Sequence, residues 1–288
     1  MTAKRSPGKT ARPATTVAFQ GEPGAYSHLA CQAALPGMTA LPCETFEAAF
    51  SAVTEGRARL AMIPIENSVG GRVADIHHLM PESGLHIIGE HFQPVDHYLL
   101  GPKGATLKRV KFVHSHVQAL GQCRPMILDM GVTPVVEADT AGSARMIAEL
   151  HDPAHAAIAS ESAAKLNGLV KLRKAASTVT RFVILSRKLE LPPLGKELTL
   201  TSFVFSVRNV PAALYKALGG FATNGVNLVK IESYMLNGSF AATQFFIDIE
   251  GHPAQPSVQN AFEELQFYTA AMKVLGVYRA HPYRRKHR

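Results

Sequence analysis

The stretch Leu60-Ala61-Met62-Ile63-Pro64-Ile65-Glu66-Asn67-Ser68-Val69-Gly70-Gly71 decides how the chain is to be read. Leu60–Glu66 is an apolar run of strand length, too short for a helix of its own. It ends abruptly in small polar residues and glycines, as a buried strand does when it reaches a sheet's edge. Upstream, Val17–Gln20 is a similar run, followed by Gly21, Pro23 and Gly24 and a helix starting near Ser27. Thr45 reads as the N-cap of a helix with Phe46, Ala49, Phe50 and Val53 on one face and Gly56 as its stop. Downstream, Leu85–Phe92 and His97–Gly101 read as consecutive extended segments. Val110–Ser115, a helix near 117–130, Thr133–Ala138, a helix capped by Asp139 or Thr140, Ala156–Ser160 and Thr180–Ser186 complete the series. This alternation of strand and helix predicts an α/β layer structure with largely parallel sheets.

A short linker, Leu191-Pro192-Pro193-Leu194-Gly195, marks a boundary. Beyond it the order changes to β-α-β-β-α-β: Leu200–Val207, a helix from Pro211 to about Thr223, Val226–Met235, Phe240–Ile249, a helix near Pro256–Gln266, and Met272–Tyr278. Asn224-Gly225 stops the first helix, and Leu236-Asn237-Gly238-Ser239 is a hairpin signal. That order is the ferredoxin-like arrangement.

The 288 residues, 47% hydrophobic and 18% charged, suit about two globular domains rather than a disordered chain. The net charge of +8 sits at the ends. Residues 1–15 carry four basic side chains and no acid, and 279–288 carry five and no acid, leaving 21 basic against 22 acidic residues between. A nucleic-acid binder would need a basic face on its folded part, so the sequence predicts two solvated tails and no nucleic-acid partner. No run approaches the roughly 18 apolar residues of a membrane span, and the opening residues lack the apolar core of a secretory signal. Cys31, Cys43 and Cys123 are scattered and odd in number, as expected of reduced thiols in a cytoplasmic protein.

The common cofactor motifs are absent. There is no G-x-G-x-x-G, no phosphate-binding G-x-x-x-x-G-K-[ST], no H-E-x-x-H and no C-x-x-C. His114 with His116, and the pair His77-His78, lack a third metal ligand, so neither metal nor cofactor is expected. What remains is a set of small polar residues at strand ends. These are Ser27 after the first turn; Glu66, Asn67 and Ser68; Ser115, His116 and Gln118; and Thr180, Arg181 and Phe182 opening a late strand. Ligands of open α/β sheets bind outside strand carboxyl ends beside helix N-termini, so these clusters have the address of an anion site. Each taken alone is an ordinary helix cap.

Pro64-Ile65-Glu66-Asn67-Ser68 with Gly71, Ser115-His116-Val117-Gln118-Ala119-Leu120, and Thr180-Arg181-Phe182 resemble the three signature motifs of the prephenate dehydratase family. Gly21-Glu22-Pro23-Gly24-Ala25-Tyr26-Ser27 resembles its first glycine-rich turn. Residues 200–279 resemble its C-terminal ACT regulatory domain, through Pro211-Ala212-Ala213-Leu214, Gly225-Val226-Asn227-Leu228 and Ile231-Glu232-Ser233. The resemblance covers roughly 16–280. It departs from the family pattern at Val117 for Pro, at Ser177-Thr178-Val179 for an Asn-containing run, at Ala212 for Gly, and at Tyr234-Met235 for Arg-Pro.

The resemblance implies a basic tail (1–15), a catalytic domain (16–190) of two α/β lobes like a type 2 periplasmic binding protein, a ferredoxin-like ACT domain (199–279) and a second tail (280–288). It implies loss of carbon dioxide and water from prephenate to give phenylpyruvate, in a homodimer or homotetramer. Thr180 would hydrogen-bond the departing hydroxyl and Arg181 would hold a substrate carboxylate in a bidentate grip. Ser27, Glu66, Asn67, Ser68, Gly71, Ser115, His116, Gln118 and Phe182 would contact substrate in the interlobe cleft. Ala213, Leu214, Asn227, Glu232 and Ser233 would bind L-phenylalanine as feedback effector. Two alternatives stand beside this: an arogenate dehydratase, doing the same chemistry on the amino acid, and a non-catalytic amino-acid sensor.

Overall fold

A computed structural model describes residues 13–73, 76–207, 210–235 and 243–286. Two of the expected features, the N-terminal tail to residue 12 and the hairpin turn at 236–239, lie outside the described residues. The chain forms two compact units. One takes the chain up to Met62 with Ser68–Gly70 and Gln93–Val179, the other Ile63–Asn67, Gly71–Phe92 and the chain from Thr180 onward. This division cuts across the one expected near residue 190, because the boundaries fall inside strands.

In chain order, β1 (Thr16–Gln20) leads through the Gly21–Gly24 turn to α1 (Tyr26–Ala34), then β2 (Thr39–Cys43), α2 (Phe46–Thr54) and β3 (Leu60–Asn67). Thr45 caps α2 as expected, its hydroxyl oxygen accepting from the Ala48 N–H at 3.1 Å. β1 lies parallel to both β2 and β3, with Val17 opposite Ala40 and Leu60. β4 (Gly71–Arg72) turns back on β3 with Asn67 opposite Gly71 and Glu66 opposite Arg72; the φ of +72° at Gly71 closes the turn. Next come α3 (Ile76–Glu82) and β5 (His86–Gly101), a single 16-residue strand where the sequence suggested two segments.

β6 (Phe112–Ser115) leads to α4 (Val117–Gln122) and α5 (Arg124–Met130). One helix was expected over 117–130. Pro125 lacks an N–H to continue the ladder, so the helix breaks at Cys123. β7 (Thr133–Val136), α6 (Thr140–Leu150), β8 (His155–Ala159), α7 (Glu161–Asn167) and β9 (Val170–Ser186) follow. Asp139, not Thr140, caps α6, its Oδ1 accepting from the Gly142 N–H at 2.7 Å. β6 runs parallel to β7 and β8, and β8 runs antiparallel to β5 with Tyr98 opposite Ala159. The first unit therefore holds two sets of parallel strands, one around β1 and one around β6, in line with two α/β lobes. Leu99, Val113, Ile127 and Ile158 pack in one apolar core and Leu100, Ala144, Ile147 and Ala159 in another.

The second unit is built on β10 (Thr199–Val207), α8 (Ala213–Thr223), β11 (Leu228–Met235), β12 (Thr243–Glu250), α9 (Pro256–Tyr268) and β13 (Thr269–Arg279). These strands run antiparallel in the order β11-β12-β10-β13, the ferredoxin-like topology expected from the sequence. Phe203, Phe221, Ile247 and Leu265 fill the space beneath the two helices. Ala212, before α8, sits at φ +60°, a left-handed conformation that an L side chain adopts at a cost and that glycine adopts freely. Gly276 of β13 faces Ile87 of β5 so closely that a Cβ would fall 2.0 Å from the Ile87 carbonyl oxygen. Within the expected second tail, the described residues include a short helix, α10 (Tyr283–Lys286), in which Tyr283 stacks on Phe92 and Arg284 pairs with Glu90, 194 residues earlier.

Candidate functional site

β3 and β9 bring two of the expected motifs together. The Asn67 side-chain amide donates to Thr180 Oγ1 at 2.9 Å. With its oxygen accepting that bond, the half-buried Thr180 hydroxyl keeps its own proton available for a further partner. One residue along each strand, the Ser68 N–H donates to the Val179 carbonyl at 2.9 Å, and Ser68 Oγ accepts from the Val179 N–H at 3.0 Å. Ser68 is exposed and likewise keeps its hydroxyl proton free. Register rather than chance thus sets the glutamate–asparagine–serine corner against the threonine–arginine pair.

Arg181 is another matter. A guanidinium free to grip a substrate carboxylate was expected. Instead its side chain is 1% exposed and its donors are engaged. Nε donates to Glu90 Oε2 at 2.8 Å, Nη1 to Glu66 Oε1 at 2.9 Å and to Asp248 Oδ2 at 2.6 Å, and Nη2 to the Tyr278 hydroxyl at 2.8 Å. The bidentate reading is therefore corrected: three carboxylates already neutralise this cation, and it organises strand ends rather than presenting a fork. Burial alone would raise the Glu66 carboxyl, but Arg181 and Lys230 outweigh it and hold Glu66 down at about 2. Burial likewise opposes the charge on Glu90, and the hydrogen bond from Arg284, with Arg181 beside it, keeps it below the usual carboxylate range.

Ser115, His116, Gln118 and Ser27 sit at strand and helix ends of the first unit. The Ser115 hydroxyl is buried and donates to the Ile158 carbonyl at 2.6 Å, so its proton is committed inside the sheet. His116 caps α4, its Nδ1 accepting from the Gln118 N–H at 3.3 Å, and burial lowers its pKa, favouring the neutral ring. Gln118 is exposed; Ser27 is buried in the first turn of α1, above a loop fixed by the Ser160 hydroxyl donating to the Gly24 carbonyl at 2.7 Å. Phe182 is 1% exposed, a core side chain in this structure rather than an open surface for substrate.

Among the expected effector residues, Ala213 is buried at the start of α8 with Leu214 half-buried beside it, Asn227 and Ser233 are exposed, and Glu232 is half-buried. Glu232 receives a hydrogen bond from Lys230 Nζ at 3.1 Å, and Arg72 donates to the Ser233 carbonyl at 3.0 Å. Tyr234 stacks on buried His77 and hydrogen-bonds its Nδ1 at 2.7 Å. Burial, helped by the charges of Lys230 and Arg72, lowers the His77 pKa to about 3 and keeps it neutral. Sequence reasoning missed Glu90, Lys230, Asp248 and Tyr278. Their signal, a charge or hydroxyl inside an otherwise apolar strand, becomes meaningful only once Arg181 supplies the partner. Among the described residues, no group of three or more His, Cys, Asp or Glu is placed to hold a metal. Nor is any of their helices long and apolar enough to cross a membrane.

Comparison with known proteins gives a consistent result. The family model described as prephenate dehydratase matches residues 17–190. A relative from Komagataeibacter europaeus, a bifunctional N-acyl-homoserine lactone acylase/prephenate dehydratase, is 53% identical over 94% of this chain and 98% of its own length. The chloroplastic arogenate dehydratase/prephenate dehydratase 2 of Arabidopsis thaliana is 39% identical over 91% of this chain and 72% of its own. Among solved structures, prephenate dehydratase of Arthrobacter aurescens in complex with L-Phe superposes with a TM-score of 0.81 at 31% identity, covering 92% of this chain and 90% of that one.

Proposed function

Since the chain belongs to the prephenate dehydratase family, we propose that its activity, conversion of prephenate to phenylpyruvate, depends on the hydroxyl of Thr180. The observation that carries this is the hydrogen bond from Asn67 into Thr180 Oγ1. As prephenate reacts, the bond from the ring to its carboxylate breaks and carbon dioxide leaves. That electron pair enters the ring, and the C4–oxygen bond breaks. Hydroxide is a poor leaving group unless it receives a proton or a strong hydrogen bond as it departs. Thr180 supplies that hydrogen bond. Asn67 occupies the threonine oxygen and so fixes the direction of the remaining O–H, which is orientation rather than acidity. The departing hydroxide is released as water with a proton drawn ultimately from solvent, and aromatisation drives the step. The chemistry needs no cofactor.

On the same reading, Ser27, Asn67, Ser68, Gly71 and the His116–Gln118 turn contact the substrate. Ser115, fully buried, shapes the loop before His116 rather than touching substrate, and Glu66 and Arg181 act by holding neighbouring residues in place. L-Phenylalanine is the proposed effector, taken up near Ala213, Leu214, Asn227, Glu232 and Ser233, in a homodimer or homotetramer located in the cytoplasm. The L-Phe complex of the Arthrobacter relative supports the effector. The test is turnover by purified protein, read on prephenate as phenylpyruvate absorbance with and without L-phenylalanine, and on arogenate as the L-phenylalanine formed. Preferential turnover of prephenate supports the assignment; turnover of arogenate alone replaces the substrate, and turnover of neither refutes it.

A second activity is favoured by the 53% identity to the acylase/dehydratase of Komagataeibacter. Hydrolysis of the amide of an N-acyl-homoserine lactone would release a fatty acid and a homoserine lactone, and quantifying the released amine decides it.

A further inference from the structure

The second unit carries a line of alternating charges of which only Glu66 and Arg181 have a role in the proposed activity. Arg284 grips Glu90, Nε to Oε1 at 2.7 Å and Nη2 to Oε2 at 3.0 Å. Glu90 meets Arg181, and Arg181 meets both Asp248 and Glu66. The second oxygen of Glu66 receives Lys230 Nζ at 2.7 Å, and Lys230 also reaches Glu232 at 3.1 Å. The side chains of Glu90 and Asp248 are fully buried, Arg181 is 1% exposed and Lys230 6%. Apolar side chains of similar volume would hold these strands together at least as well, because ionised groups are costly to strip of water. The value of the arrangement therefore lies in the geometry it fixes. Its centre, Glu66 with Arg181, consists of the chain neighbours of Asn67 and Thr180.

We propose that Lys230 is a positioning residue for Thr180: by holding one Glu66 oxygen while Arg181 holds the other, it fixes the register in which Asn67 meets the threonine hydroxyl. The proposal rests on Thr180 being the hydroxyl that meets substrate. Lys230 lies on β11 with Glu232 and Ser233, so the same side chain ties the strand of the proposed effector residues to β3. Removing its charge frees Glu66 to rotate and loosens the Asn67–Thr180 contact without touching the substrate. The effect then falls on the chemical step rather than on binding.

Steady-state kinetics of the full chain on prephenate test this, comparing wild type with Lys230→Met, which keeps most of the stem, and Lys230→Arg, which keeps the charge. For Lys230→Met, kcat falls about tenfold or more while KM stays within about twofold, and Lys230→Arg recovers about half or more of the loss. The pH profile of kcat adds a readout that simple loosening of the fold would not move. Without Lys230 the Glu66 carboxyl rises from about 2 toward its ordinary value, so an acidic limb appears in Lys230→Met and not in Lys230→Arg. Combining Lys230→Arg with Glu66→Gln gives less than the product of the single effects, because both act through one contact. A Lys230→Met enzyme with kcat within about twofold of wild type, or a rise in KM alone, overturns the proposal. Should Lys230→Met fail to fold, the Lys230→Arg and Glu66→Gln pair decides, independent multiplicative effects being the contrary result. Wild-type protein inactive on prephenate would refute the catalytic reading instead, so the two failures are distinguishable.

Discussion

Two strand ends look alike in the sequence and behave differently in the structure. At the end of β3, Glu66 and Asn67 meet partners on β9, more than a hundred residues away, and each polar group faces another of opposite or complementary character. At the end of β6, Ser115 and His116 satisfy groups close by: a carbonyl of the neighbouring strand β8 and an N–H two residues on. The first end is a long-range constellation with a free hydroxyl at its edge. The second is local carpentry that shapes a loop. A polar residue at a sheet's carboxyl edge has the address of a site, but only its partners tell whether its hydrogen-bonding capacity is already committed.

The difference can be broken from either side. Asp248→Ala leaves Arg181 buried without one of its carboxylates and should cost about 3–5 kcal/mol, measured by denaturant unfolding; a loss below about 1 kcal/mol would show the cluster to be dispensable. Acid sharpens the contrast further. Glu66 is held at about 2 against an ordinary 4.5. Its contribution is thus fully present above pH 4.5 and is lost as pH falls toward 2, a loss of about 2 kcal/mol after allowing for its partial exposure. Glu66→Gln should flatten the stability curve across that window. His116 has a lowered pKa, so the unfolded chain takes up its proton first. Its contribution is present above pH 6.5 and begins to disappear as pH falls through that value, and His116→Gln should make that earlier slope shallower without abolishing it, because buried His77 loses stability over the same range. Smallest is Ser115→Ala, which deletes one buried hydrogen bond and should cost about 1 kcal/mol in the same unfolding assay.

Much of the scaffold was legible because its signals are local. Thr45 and Asp139 sit just before apolar helical faces, and the apolar run ending at Glu66 stands alone as a strand. The first half of β9 was not legible: Leu172-Arg173-Lys174-Ala175-Ala176-Ser177 carries neither alternation nor an apolar run, and only pairing makes it extended. Arg181 was misread for the same reason. Its partners Glu90, Asp248 and Tyr278 lie 91, 67 and 97 residues away, so the sequence displayed a cation and concealed its anions. Arg284 looked like part of a solvated basic tail because Glu90 is 194 residues distant. Local physics reads caps and strands, whereas the electrostatics of a site depends on long-range pairing.

The central claim is that the Thr180 hydroxyl, aimed by Asn67, meets the departing hydroxyl group. Single-turnover formation of phenylpyruvate by Thr180→Ala, alongside Thr180→Ser and with folding checked by circular dichroism, tests it most directly. The account predicts a loss of at least about 100-fold for the alanine variant and substantial recovery in the serine variant. A folded Thr180→Ala protein that forms phenylpyruvate at the wild-type rate would contradict it.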